Sequence, residues 1–231
     1  MNALKKNPNV PQIAIWKNGT LARSIPIEIK AETTIVGAAA GQPAPDFVFA
    51  NYNDNAYGLV MLDSRSTDWI EQHIGEISDP LLRAMLWGAM WDLVRDARLS
   101  PRRFIAMASR ELPAEREEQI ASGIVSRLTR ATSSYLSDAQ QAAAIGDVEK
   151  LLLAGASDSL RTYGVRKNQL DAYIGLARTP AAVARLTAWL DSTSTAGLPL
   201  RQPTRWAIVT RLIERGASTG IFCPFAQFCE T

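Results

Sequence analysis

Asp79-Pro80, Ser100-Pro101 and Thr179-Pro180 each place a short polar residue able to cap a helix directly before a proline, at the head of an apolar helical pattern. The cap oxygen accepts from the first free amides of a helix. Proline at the first helical position gives up an N–H that would have had no partner there. A chain that restarts helices with this device is built from many helices joined by short loops. Leu112-Pro113 and Gln202-Pro203 open further helical patterns behind weaker caps. After Pro80, the residues Leu82, Met85, Leu86, Ala89, Met90, Leu93 and Val94 recur at the spacing that places them on one face. Phe104, Ile105 and Ala108 follow Pro101 in the same way, as do Val183, Leu186, Trp189 and Leu190 after Pro180. Further helices are expected at 66–77, 115–135, 138–144, 148–153, 159–163, 167–177 and 203–215, the last stopped by Gly216.

The first quarter has a different period. Residues 12–16 form a short apolar run, and Asn18-Gly19 after it is a strong hairpin signal. Residues 24–30 alternate as a half-buried strand does, with Pro26 confining that strand to an edge or a bulge. Further short strands are expected at 33–36, 46–50 and 57–62, separated by a Pro/Gly loop at 41–45 and a polar turn at 51–55. The expected fold is therefore mainly α with a small N-terminal β part. A partial β-sandwich over 10–63 precedes an irregular antiparallel α-helical solenoid or bundle over 64–218, and residues 219–231 form an irregular tail.

The composition, 47% hydrophobic and 21% charged, is that of an ordinary globular chain, long enough to bury a core. A formal charge of +2 with no basic stripe argues against a nucleic-acid partner, and no apolar run reaches membrane-spanning length. No apolar stretch follows Lys5 and Lys6, so no secretory signal is expected, and the plain expectation is a cytoplasmic location. The two cysteines, Cys223 and Cys229, both lie in the last nine residues, and their spacing is not that of a zinc knuckle or a redox pair.

Hydrolytic zinc needs three protein ligands and an open position, and the helical signature for it contains two histidines. This chain has one, His73. It falls four residues after Trp69 on an expected helix and reads as a structural residue. The same scarcity removes Ser/His/Asp and Cys/His triads unless His73 serves them, and neither cysteine sits in a segment expected to be structured. Glu115, Glu117 and Glu118 cluster where a helix starts, and the helix dipole accounts for them. Arg201 and Arg205 stand about one helical turn apart beside Trp206, the one place where two guanidinium groups could grip a carboxylate, and a surface salt bridge explains them as well.

Two long stretches carry a resemblance. Asn51-Tyr-Asn-Asp-Asn-Ala-Tyr-Gly-Leu-Val-Met-Leu-Asp63 is similar to a strand-turn-strand of the aminopeptidase N family of zinc aminopeptidases. Asp79-Pro-Leu-Leu-Arg-Ala-Met-Leu-Trp-Gly-Ala-Met-Trp-Asp-Leu-Val-Arg-Asp96 resembles the helix that opens that family's C-terminal helical domain. Thr162 to Lys167 and residues 197–213 resemble later parts of the same domain, so the likeness runs in order over about 10–218. Gly88-Ala-Met-Trp-Asp92 looks superficially like the family's substrate-binding Gly-x-Met-Glu-Asn motif, but its place in mid-helix makes Met90 a core residue.

The resemblance implies an enzyme of four parts, of which this chain would hold the end of a β-sandwich and much of the helical domain. The family's zinc ligands, general base and amine-binding glutamates fall in parts that this sequence does not match. No catalytic, cofactor-binding or metal residue is therefore expected here, and zinc belongs to the parent enzyme. The helical domain of the family closes over the catalytic cleft and helps to place peptides. The implied partners are the parent's catalytic domain or a peptide substrate, with Arg201 and Arg205 as the candidate contacts. Both ends depart from the family's pattern, and a truncated or frameshifted reading frame is expected; an intact stop, with no upstream zinc-motif coding region in the flanking DNA, would count against it. The alternative is a stand-alone helical scaffold binding a peptide or protein. The two differ at the surface: a region made to dock on a catalytic domain exposes an apolar patch, whereas an independent module replaces it with charge. An unrelated enzyme working through Asp/Glu pairs has no positive sign in its favour.

Overall fold

The computed structural model describes residues 11–217. Two compact units divide between Met107 and Ala108.

In the first unit, strands β1 (Gln12–Lys17), β2 (Thr20–Pro26) and β3 (Phe47–Ala50) form an antiparallel sheet in the order β2-β1-β3. Asn18 and Gly19 turn the β1–β2 hairpin with φ of 52° and 72°, the left-handed pair that suits strand twist. Pro26 closes edge strand β2, where its missing N–H interrupts no ladder. Ala14, Trp16, Ile25, Phe47 and Phe49 are buried. Helix α1 (Ser64–His73) lays Trp69 on this core, and the rings of Trp16, Phe47, Trp69 and His73 stack in series at 5.5, 5.0 and 4.8 Å. Helix α2 (Pro80–Arg95) starts as expected, with Asp79 Oδ1 accepting from Leu81 N and Leu82 N at 2.9 and 3.2 Å. Its buried Trp87 meets the edge of Phe104 on helix α3 (Pro101–Glu111) at 5.8 Å.

The second unit contains α4 (Glu118–Ser134), α5 (Asp138–Ser157), α6 (Tyr163–Leu176), α7 (Pro180–Leu190), a two-stranded hairpin of β4 (Ser194–Thr195) and β5 (Leu198–Pro199), and α8 (Gln202–Glu214). α6 packs on α4, α5 and α8, and α7 packs on α8. The core follows single faces, such as Ile120, Ile124 and Leu128 on α4 and Leu170, Tyr173 and Ile174 on α6. The molecule is thus mainly helical with a small N-terminal antiparallel sheet, and among the described residues no helix is long and apolar enough to cross a membrane.

Several expected elements differ. Residues 33–36 and 57–62 are not strands. Val48 of β3 donates its N–H to Ser66 Oγ (3.0 Å), so α1 occupies the place on β3 where a further strand would pair. The alternating stretch at 24–30 leaves the sheet at Pro26. The segments 138–144 and 148–153 are one helix, because burial of Ile145, Val148, Leu152 and Ala156 along α5 outweighs the roughly 1 kcal/mol helix cost of Gly146. Residues 158–161 form a turn rather than a helix, and α6 begins after the Thr162 cap. Pro113 lies in a turn and opens no helix; α4 starts at Glu118 instead. The β4–β5 hairpin, turned by Ala196 and Gly197 with φ of 47° and 70°, has strands too short to show a period.

Candidate functional site

The two arginines singled out in the sequence sit one turn apart at the start of α8, and their guanidinium groups take different partners. Arg205 donates Nη1 to Leu190 O (2.6 Å) and Nη2 to Ser192 O (2.7 Å), bridging carbonyls at the C-terminal end of α7 and just after it. Arg201 is exposed, and its guanidinium carbon lies 5.9 Å from the centre of the Tyr163 ring on α6. Tyr163, at the start of α6, is 47% exposed, and Trp206 on α8 is 55% exposed. Arg201 stays at the surface. Arg205 acts as a helix-end brace.

That brace is one of a set. Arg166 donates Nε to Ala156 O (3.0 Å) in the last turn of α5, and Nη2 to Ala196 O (2.8 Å) in the hairpin turn. Arg211 donates Nε to Ala177 O (2.9 Å), the cap of α6. Arg161, whose side chain is 5% exposed, bonds the carbonyls of Leu112 (3.1 Å), Pro113 and Glu115 (3.4 Å). The last carbonyls of a helix lack internal partners, and a planar fork of donors can serve two or three of them at once. Carboxylates serve the opposite ends. Buried Glu149 accepts from Arg178 N (2.6 Å), Thr179 N (3.0 Å) and the Thr179 hydroxyl at the start of α7. Glu115 accepts from Arg116 N and Glu117 N, each at 2.9 Å, in keeping with the dipole reading of that cluster. Periodicity carries no trace of these braces, since each partner lies ten to 49 residues away in all but the Glu115 case.

Cavities open in this unit. One, of about 150 Å³, has walls that include Leu112, Leu151, Gly155, Arg161 and Gln169. Gln169 packs where a Cβ on Gly155 would sit, 1.7 Å from its Oε1, and its Nε2 has no hydrogen-bond partner. Another, of about 250 Å³, lies between α5, α6 and α7 and includes Glu149, Tyr173 and Arg185. Burial raises the Tyr173 phenol above its usual range; Arg185 opposes the shift and Glu149 adds to it.

His73 is half-buried, stacked on Trp69, and its Nδ1 lies 2.9 Å from Glu76 Oε1. Met90 is fully buried within α2, so the Gly88–Asp92 stretch is core. Cys223 and Cys229 lie outside the described residues. The chain has one histidine, and among the described residues no three His, Cys, Asp or Glu side chains come close enough together to hold a metal ion.

The sequence is 27% identical over 205 residues to aminopeptidase N of Streptomyces lividans, an alignment that covers 87% of this chain and 24% of that protein. The chain thus spans about a quarter of the length of this relative. The family model described as the ERAP1-like C-terminal domain matches residues 47–222, from β3 through α8, and the order of elements seen here, a short strand followed by successive end-braced helices, is what that match covers. The chain belongs to the family of ERAP1-like C-terminal domains, the C-terminal region of aminopeptidases.

Proposed function

We propose that this chain is the non-catalytic C-terminal region of a zinc-dependent aminopeptidase, and that it covers the cleft of the parent's catalytic domain and helps to position peptides there. The observation that carries the reading is the match of 47–222 to a C-terminal domain, in a chain with a single histidine. Release of N-terminal residues and the zinc that drives it then belong to the catalytic domain, which is the partner of this region. Arg201 beside Tyr163 is the contact proposed for a peptide carboxylate; Arg205 holds the α7–α8 junction on which Arg201 sits.

The surface supports this reading over an independent scaffold. Ile29, Ile35, Tyr57 and Leu59 of the first unit are 65%, 90%, 109% and 74% exposed, and these are the apolar groups that a docked catalytic domain would cover.

The test replaces the matching quarter of the Streptomyces lividans aminopeptidase with this chain. The chimera is expected to cleave both aminoacyl-chromophores and longer peptides, with Arg201→Ala raising KM for the longer peptides alone. Metal-dependent peptide trimming by the purified chain by itself would overturn the proposal.

A further inference from the structure

The turn between β1 and β2 places Asn18 directly before Gly19, the one Asn-Gly step in the sequence. Both residues are exposed at the tip of the hairpin. Among the described residues neither the Asn18 side-chain amide nor the Gly19 main-chain N–H has a hydrogen-bond partner. A Cβ at Gly19 would meet nothing within 4 Å, so the space around its backbone is open. The other described asparagines are held differently. Asn51 is 8% exposed, and its side chain bonds Ala56 and Asp54. Asn53 and Asn55 are engaged as well, and are followed by Asp54 and Ala56. Asn168 lies inside α6 ahead of Gln169, with its Oδ1 buried.

An asparagine side chain can react with the nitrogen of the next residue. Here Gly19 N attacks Asn18 Cγ, the N–Cγ bond forms, and the Cγ–Nδ2 bond breaks. Nδ2 leaves as ammonia with the proton from Gly19 N. Water then opens the five-membered imide. Attack at Cγ gives aspartate; attack at the Asn18 main-chain carbonyl carbon gives isoaspartate, in which the chain runs through the former side chain. One water is taken up and one ammonia released, and no oxidant or cofactor is needed. Glycine favours the closure, because no Cβ crowds the attacking nitrogen and its backbone turns freely. Exposed turns open locally at little cost, so Asn18 can leave its left-handed conformation, φ 52°, for the geometry that the ring requires.

The products do not fit the turn as the asparagine does. Asn18 and Gly19 set the register in which Lys17 pairs with Thr20 and Trp16 with Leu21. Isoaspartate adds a main-chain atom to this two-residue connection, and a two-residue hairpin fixes its register by the length and hand of its turn. Next to the turn stands Trp16, 6% exposed and stacked on Phe47 at 5.5 Å.

We propose that Asn18 is a site of spontaneous modification, converted through an imide with Gly19 to isoaspartate and aspartate, and that the change loosens the β1–β2 hairpin.

The test holds the purified full chain warm in mildly alkaline buffer and samples it over time. Mass mapping of the fragment 18–23 is expected to show Asn18 lost with a gain of one mass unit, several-fold faster than at Asn51, Asn53, Asn55 or Asn168. Labelling by an isoaspartate-specific methyltransferase should rise in step, and the unfolding midpoint of the first unit should fall. Asn18→Gln, whose ring would need six members, is expected to show neither the labelling nor the fall. Survival of Asn18 in the folded chain, whether or not urea releases it, overturns the inference, because the folded turn then blocks ring closure. Equal loss at the other four asparagines overturns it too, as does complete conversion of Asn18 with the midpoint unchanged.

Discussion

Removing the guanidinium of Arg205 should weaken the second unit while removing that of Arg201 should not, and the difference follows from what each group touches. Arg205 makes two charge-assisted hydrogen bonds, at 2.6 and 2.7 Å, to Leu190 O and Ser192 O. Hydrogen bonds from charged donors contribute about 1.5–3 kcal/mol each when buried, and less where water can replace them. Arg205 is part-buried, so the lower bound applies, and Arg205→Ala is expected to cost about 2–3 kcal/mol. With a urea dependence of about 2 kcal/mol per molar, the denaturation midpoint falls by about 1 M. Arg205→Lys keeps the charge but has no fork with which to bridge two carbonyls, so about half of that loss remains. Arg201→Ala loses an exposed contact to Tyr163 worth at most about 0.5–1 kcal/mol.

Urea titration followed by tryptophan fluorescence reads the effect, since Trp189 and Trp206 both lie in this unit. Equal midpoints for Arg205→Ala and the parent would refute the bracing role. So would an Arg201→Ala loss as large as that of Arg205→Ala. If Arg201 is instead a peptide contact, its substitution should leave the midpoint alone and change only KM in the chimera.

Three further outcomes are expected. Glu149→Ala strands two amides and a hydroxyl at the start of α7, and should cost about 3 kcal/mol by urea titration, with Glu149→Gln intermediate because it keeps one acceptor oxygen. Asn51→Ala removes three hydrogen bonds and puts a Cβ-bearing residue without a polar side chain at φ 98°, so a loss of about 2–3 kcal/mol is expected in thermal or urea unfolding of the first unit. Burial pushes the Asp63 carboxyl up, but the Ser66 side-chain and backbone hydrogen bonds outweigh it and the group ends below its ordinary value. Its cap on α1 is therefore fully in force above the unfolded carboxyl range, near about pH 4, and lost as pH falls through the lower folded value; Asp63→Asn should flatten that limb of the stability curve, and an unchanged acid limb would refute it.

The helix starts were legible because their causes are local. Asp79 and Thr179 cap within three residues of themselves, and Pro80 and Pro180 restrict their own φ, so the signal and its cause occupy the same few positions. The braces were not legible, because Arg161, Arg166, Arg205 and Arg211 find their carbonyls only after the helices have packed. Seen in sequence, Arg201 and Arg205 form one pair with one role; in the fold one braces a helix end and the other meets an aromatic ring. Residues 57–62 are a third kind of case. Their alternation is present in the sequence and in their exposure, but a strand also needs a neighbour, and the edge of β3 is taken by Ser66.

The braces also hold part of the chain's charge at helix ends. The chain has 25 basic and 23 acidic residues, which could have built a charged face, yet several of these charges are held against helix ends: Arg161, Arg166, Arg205 and Arg211 at C-termini, Glu149, Glu115 and Asp79 at N-termini. Charges held in this way stabilise the order of short helices and contribute little field at a distance, because each faces an opposite partial charge at once. The first unit exposes apolar Ile35, Tyr57 and Leu59 together with charged Arg23, Glu28 and Lys30, so its surface is mixed in character and not a field of one sign.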